Sequence, residues 1–117
     1  MTVKRVVPNI ATEQIGAAKA FYGEILGMTV VMDHGWLVTF SDAGHTTPQV
    51  SFAREGGSGT PVPDLSIEVD NLGEIHRRLL AAGFAIEYGP VTEPWGVRRF
   101  FVRDPAGTLV NILMHTR

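Results

Sequence analysis

The feature that most constrains this chain is an order of elements that it runs through twice. Val3 to Ala11 is rich in β-branched residues and predicts a strand. Thr12 offers a side-chain oxygen at a helix start, and Ile15, Ala18, Tyr22, Ile25 and Leu26 recur at helical spacing until Gly27 stops the helix. Met28 to Met32, Trp36 to Ser41 and Pro48 to Ala53 predict three strands. The first two are joined at Asp33-His34-Gly35, the last two by turn-like residues 42–47. After the Gly- and Pro-rich stretch 56–63 the order returns. Leu65 to Val69 alternates as a half-buried strand, and Asn71 caps a helix with the stripe Leu72, Ile75, Leu79 and Ala82, ended by Gly83. Ala85 to Tyr88, Arg98 to Arg103 and Leu109 to His115 predict the remaining strands, with a type I turn at Asp104-Pro105-Ala106-Gly107. Each half is strand–helix–strand–strand–strand, which predicts an α+β fold of two βαβββ repeats. Their small sheets should form a curved mixed sheet around a concave cleft, with the helices on the other side. The division is repeat one at 1–55, a linker at 56–63 and repeat two at 64–117, within one domain of 117 residues.

Composition removes several function classes. Ten Lys and Arg against twelve Asp and Glu give a net charge of -2, which lacks the basic surface nucleic-acid binding requires. The absence of cysteine excludes disulfides, thiolate metal sites and cysteine nucleophiles. No apolar run is long enough for a membrane span, and the opening Met-Thr-Val-Lys-Arg lacks a leader's apolar stretch, so a cytoplasmic protein is expected.

Strand alternation predicts what lines the face that the helices leave uncovered. Leu65, Ile67 and Val69 should face the second helix, which turns Asp64, Ser66 and Glu68 the other way. Arg5, Val7 and Asn9 share a face, as do Gln49 and Ser51, and Leu109, Asn111, Leu113 and His115. Apolar walls with a few placed polar groups suit an organic ligand.

The motifs Ala20-Phe21-Tyr22-Gly23-Glu24-Ile25-Leu26-Gly27-Met28 and Ile67-Glu68-Val69-Asp70-Asn71, and above all the run from Trp95-Gly96 through Arg98, Phe100 and Asp104-Pro105-Ala106-Gly107 to Val110, stand at matching distances over essentially the whole chain. In these the chain resembles the vicinal oxygen chelate superfamily of glyoxalase I, bleomycin-resistance proteins and extradiol dioxygenases. In metal-using members of that superfamily four strand positions carry His or Glu. By the resemblance these fall on Val7, Gln49, Asp64 and Asn111. Val cannot ligate, and Gln and Asn offer only neutral carbonyl oxygens, which suit zinc, nickel or iron poorly. The expectation is no metal and no cofactor.

Elsewhere, His34 and His45 sit in turns, and His76 borders the stripe of the second helix. His115 shares the inward parity of Asn111 and is placed to bond a ligand or move a proton. Trp36 opens a strand, while Trp95, flanked by Pro94 and Gly96, is a candidate stacking surface. Of the adjacent pairs Arg98/Arg99 and Phe100/Phe101, one member each should face the pocket. Arg99 and Phe101 are taken as those members, with the arginine pairing with Glu68 or Asp64 or clamping an anionic ligand. The expected ligand-binding set is therefore Val7, Asn9, Trp36, Gln49, Asp64, Glu68, Trp95, Arg99, Phe101, Asn111 and His115. The resemblance and the missing ligands imply a metal-free small-molecule binder, acting on a planar or peptide-like antibiotic or metabolite and built as a homodimer. The alternatives are a glyoxalase-like lyase or dioxygenase, metal-independent or with a rearranged metal site, and an interaction module without a small ligand.

Overall fold

The computed structural model describes residues 2–41 and 49–116. The strands and helices follow the predicted order: β1 (Val3–Ala11), α1 (Ile15–Ala18) continued by a π-helical segment (Lys19–Ile25), β2 (Thr29–Asp33), β3 (Leu37–Ser41), β4 (Gln49–Ala53), β5 (Leu65–Val69), α2 (Leu72–Ala81), β6 (Ile86–Glu93), β7 (Val97–Arg103) and β8 (Leu109–His115). This is a mixed α+β fold of two βαβββ repeats. It divides into two compact units, Val7–Val62 and the chain from Pro63 onward together with the residues up to Val6, so β1 contributes to both. Among the described residues, no helix is long and apolar enough to cross a membrane.

In the Val7–Val62 unit the strand order is β2-β3-β4-β1. β4 pairs parallel with β1 and antiparallel with β3. Ala18 packs with Val38, Phe40 and Phe52, and Ile15, Tyr22, Met28 and Val50 close around them. Alternation therefore turns Thr39, Ser41, Gln49 and Ser51 to the helix-free face. There Thr39 and Ser51, cross-strand partners and both buried, share a hydroxyl hydrogen bond of 2.7 Å.

The first helix departs from the expected stripe. Ala18 is buried, but Ile25 is 73% and Leu26 57% exposed. The cause is the hydrogen-bond pattern: the Leu26 amide reaches back five residues to the Phe21 carbonyl, 3.1 Å away. The widened turn carries Ile25 and Leu26 off the face that an α-helical period assigns them. Thr12 does not cap this helix either. Its Oγ1 accepts from the Gln14 amide (2.9 Å), and Gln14 starts the helix without a side-chain cap.

In the second unit the order is β1-β5-β8-β7-β6. β5 runs parallel to β8, and β7 is antiparallel to both β8 and β6. Here the periodicity holds for Leu72, Ile75 and Leu79, while Ala82, expected in the stripe, is the exposed C-cap. Asn71 Oδ1 accepts from the Glu74 amide at 3.1 Å, and Leu72, Ile75 and Leu79 pack with Phe100, Val102, Val110 and Ile112. Gly27 (φ 76°) and Gly83 (φ 92°) end the two helices in the left-handed region where glycine alone is unstrained. The strand expected at Ala85 to Tyr88 continues to Glu93, because Val91, Thr92 and Glu93 go on pairing with β7. Asp104 closes the predicted turn, its Oδ1 accepting from the amides of Ala106 (2.8 Å) and Thr108 (2.9 Å). The stretch 56–63 folds onto itself: the Gly56 amide donates to the Thr60 carbonyl (2.7 Å) and the Thr60 amide to the Gly57 carbonyl (3.0 Å). The expected turn at 42–47, with His45 in it, lies outside the described residues.

Candidate functional site

The second unit brings most of the expected residues onto one helix-free face. Its β5–β8 ladder sets Ser66 opposite Asn111 and Glu68 opposite Leu113. Its β7–β8 ladder sets Phe101 opposite Asn111 and Val97 opposite His115. Asn111 is 6% exposed. Its Nδ2 donates to Ser66 Oγ at 3.1 Å, while its Oδ1 is buried with no protein partner among the described residues. A buried amide carbonyl left this way is short of one hydrogen-bond donor.

Two residues along β5, about 7 Å by the strand rise, Glu68 collects three basic side chains. Arg5 Nε bonds its Oε1, His115 Nδ1 lies 2.9 Å from its Oε2, and Lys4 Nζ is 3.9 Å away. Burial on its own raises the carboxyl pKa, yet the hydrogen bonds and charges of His115 and Arg5 outweigh it and hold Glu68 below the usual carboxylate value. The carboxylate also orients the imidazole: with Nδ1–H held toward Oε2, Nε2 is left as the acceptor. The His115 side chain is 42% exposed.

The expected pairing of Arg99 with Glu68 or Asp64 is not what the structure shows. Arg99 binds Glu93, with Nη2 and Nε each 2.8 Å from Oε2, and both side chains are almost wholly buried. Tyr88 donates its hydroxyl to the same oxygen (2.8 Å). Three rings surround the guanidinium carbon: Phe101 at 4.8 Å, Trp95 at 5.0 Å and Tyr88 at 5.4 Å. Trp95 is thus placed by a cation–π contact and lies against the cage. Tyr88 and Glu93 were missed by sequence reasoning. A partial signal was present: an inward Arg99 on β7 requires a carboxylate, but a strand expected to end at Tyr88 did not bring Glu93 across the hairpin. Phe100 belongs to the helix-facing core, and Arg98 is exposed and bonds Thr92 Oγ1 (3.1 Å).

The other expected residues are dispersed. Asp64 is exposed, and its Oδ2 accepts from the Leu109 amide (3.0 Å), tying β8 to the start of β5. Val7 is buried and Asn9, opposite Ser51, half-buried on the helix-free face of the Val7–Val62 unit, where Gln49 also lies. Trp36 stacks on His34 at the hairpin, ring centroids 5.6 Å apart. His76 packs edge-on against Phe100 at 5.2 Å. Of the four positions at which metal-using relatives carry His or Glu, Val7 has no donor, Gln49 and Asn111 are neutral amides, and the Asp64 carboxylate is engaged by a backbone amide. No three His, Cys, Asp or Glu side chains converge among the described residues. This donor set does not fit a transition-metal ion.

A family model described as the Glyoxalase/Bleomycin resistance protein/Dioxygenase superfamily matches residues 3–112. No curated protein matches the chain. Among solved structures it is similar to an NAD-dependent benzaldehyde dehydrogenase from Legionella pneumophila, with a TM-score of 0.74 and 17% identity, over 95% of this chain and 99% of that one. It is also similar to a superfamily member from Vibrio splendidus 12B01 (TM-score 0.66, 19% identity, 97% and 99% covered). A third is methylmalonyl-CoA epimerase from Mycobacterium tuberculosis (TM-score 0.66, 18% identity, 98% and 88% covered). At these identities the likeness shows the fold alone.

Proposed function

Because the chain belongs to the glyoxalase/bleomycin resistance protein/dioxygenase superfamily, we propose that it is a metal-free small-molecule binder of the cytoplasm, which sequesters a planar or peptide-like antibiotic or metabolite on the helix-free face of its second repeat. The observation that carries this reading is the buried, unpartnered Oδ1 of Asn111. A ligand that displaces a neighbouring side chain and brings an N–H or O–H donor to this closed-off oxygen, as a peptide-like compound does, satisfies a group the protein leaves unsatisfied. The donor set at the four strand positions supports the metal-free part. The working unit we propose is a homodimer, supported by the exposed Phe21, Ile25, Leu26, Val30 and Val31 of the first repeat.

The test is a calorimetric titration of a panel of planar and peptide-like antibiotics into the wild type and Asn111→Leu. Loss of one hydrogen bond should weaken the binding compound about tenfold. Equal affinity for both proteins removes Asn111 from the site. Metal analysis after incubation with zinc, nickel, manganese or iron(II) and desalting should find none retained. A stoichiometric ion would sink the metal-free reading.

A second reading is favoured by the Glu68–His115 pair. A carboxylate-oriented imidazole with Nε2 left as the acceptor is the arrangement of a general base that needs no metal. Under this reading His115→Gln abolishes turnover of a bound compound while leaving its affinity unchanged. Turnover that survives the substitution overturns it.

A further inference from the structure

We infer that the second repeat carries a separate binding site beneath α2, on the helix-covered side of its sheet, for an uncharged medium-chain aliphatic molecule such as an alcohol. The basis is a half-open apolar pocket of about 300 Å³ bordered by α2 and the sheet. Ile67, Ile75, Leu79, Phe84, Val102 and Ile112 are among its walls, and its only charged lining residues are Arg103 and Asp104, at the turn into β8.

The matching layer of the first repeat has side chains where this space lies. There Tyr22 packs 4.7 Å from Phe52 and 5.9 Å from Phe40, so three rings fill the room between helix and strands. In the second repeat α2 turns Ile75 and Leu79, and no ring, toward the pocket, whose one aromatic wall is Phe84. A pocket with apolar walls hydrates poorly and takes apolar guests. At roughly 30 Å³ per small liquid-packed group, its volume admits on the order of ten non-hydrogen atoms.

The rim decides the head group. Arg103 is already engaged, its Nε 2.9 Å from Glu87 Oε2 and its Nη1 donating to the Gly107 carbonyl (3.0 Å). The Asp104 carboxylate is engaged by the amides of Ala106 and Thr108. Arg103 already has Glu87 as its counter-ion and Asp104 is held by two amides, so a charged head gains little from either and loses its hydration. A hydroxyl can accept from Arg103 or donate to Asp104 without that loss.

The experiment is a methyl-resolved NMR titration of the full chain with 1-octanol, octanoate and octylammonium. Octanol is expected to shift the methyl signals of Ile67, Ile75, Leu79 and Ile112 saturably, and to bind at least tenfold more tightly than either charged analogue. Leu79→Phe, which fills the pocket, should abolish those shifts. Asp104→Asn keeps the acceptor of the turn but removes an anion from the rim beside the Arg103–Glu87 pair, and should raise octanoate affinity several-fold. Absence of saturable shifts, equal binding of all three heads, shifts confined to Leu113 and the opposite face, or no response of octanoate to Asp104→Asn would each overturn the inference. None of these results bears on the Asn111 site, whose own test uses different residues and compounds.

Discussion

In the first repeat the helix lays Tyr22 against Phe40 and Phe52, and the opposite sheet face is held by hydroxyls, Thr39 on Ser51. In the second, α2 lays Ile75 and Leu79 against Val102 and Ile112, and the opposite face is held by charges, Arg99 on Glu93 and Glu68 among Arg5 and His115. The same order of elements thus supports a core in which the helix contributes a ring, beneath a neutral face, and a core in which the helix lays aliphatic side chains around Phe100, beneath a charged one. A neutral hydroxyl pair tolerates loss of its partners, whereas a buried charge does not. The second repeat is therefore the one whose face is both rigidly specified and chemically equipped.

The sharpest way to break this comparison is to remove one partner from each face. Arg99→Ala removes the guanidinium from the buried Glu93 carboxylate, and should destabilise the protein by about 3–5 kcal/mol in urea unfolding. Thr39→Val combined with Ser51→Ala removes both hydroxyls together, and should change stability by less than about 1 kcal/mol. Comparable losses in the two proteins would mean that the charged face is no more demanding than the neutral one.

The cores should differ in the same experiment. Phe40 is fully buried, and Phe40→Ala should cost about 3–5 kcal/mol. Ile75 is half-buried at the edge of the existing pocket, so Ile75→Ala should fall at or below the lower end of the range for aliphatic deletions, about 2 kcal/mol. An Ile75→Ala loss as large as that at Phe40 would show a second core as tightly packed as the first.

Glu68 sharpens the comparison through pH. Its carboxyl titrates below the usual value in the folded protein, because the bonds from His115 and Arg5 overcome the opposing effect of burial. A depressed folded pKa gives stability that is fully present above the unfolded value of roughly 4.3 and is lost as pH falls through the lower folded value. At neutral pH Glu68→Gln should cost about 1.5–3 kcal/mol. The gap between wild type and variant should close as unfolding is measured at successively lower pH below about 4.3. A gap independent of pH would mean that the charge of Glu68 contributes nothing.

Alternation made the faces legible in the sequence. It separated Val110, Ile112 and Met114 from Asn111, Leu113 and His115, and placed Arg5 on the face where it now meets Glu68. It could not say which acid Arg99 would find, because β6 runs on to Glu93 through a Gly89-Pro90 dipeptide that reads as a strand end. The π-helical turn was equally hidden: the apolar residues of 15–26 fit an α-helical period, and only the backbone bond from Leu26 to Phe21 reveals the extra residue. The unsatisfied Asn111 Oδ1 is a property of the neighbours it lacks, which no spacing encodes.

The helix starts offer the smallest test. Asn71 caps α2 with its own side chain, whereas the first helix begins at Gln14 with none, and the Thr12 hydroxyl oxygen accepts from the Gln14 amide outside the helix. Asn71→Ala should therefore cost about 1 kcal/mol, the usual value of an N-cap. Thr12→Ala removes a turn-forming bond in a half-exposed loop and should cost roughly half of that or less, since it leaves every helical amide as it was. Thermal melts of the two variants against wild type decide it. A Thr12→Ala loss equal to that of Asn71→Ala would show that Thr12 acts as the cap its position in the sequence suggests, and that the two helices begin alike despite their different cores.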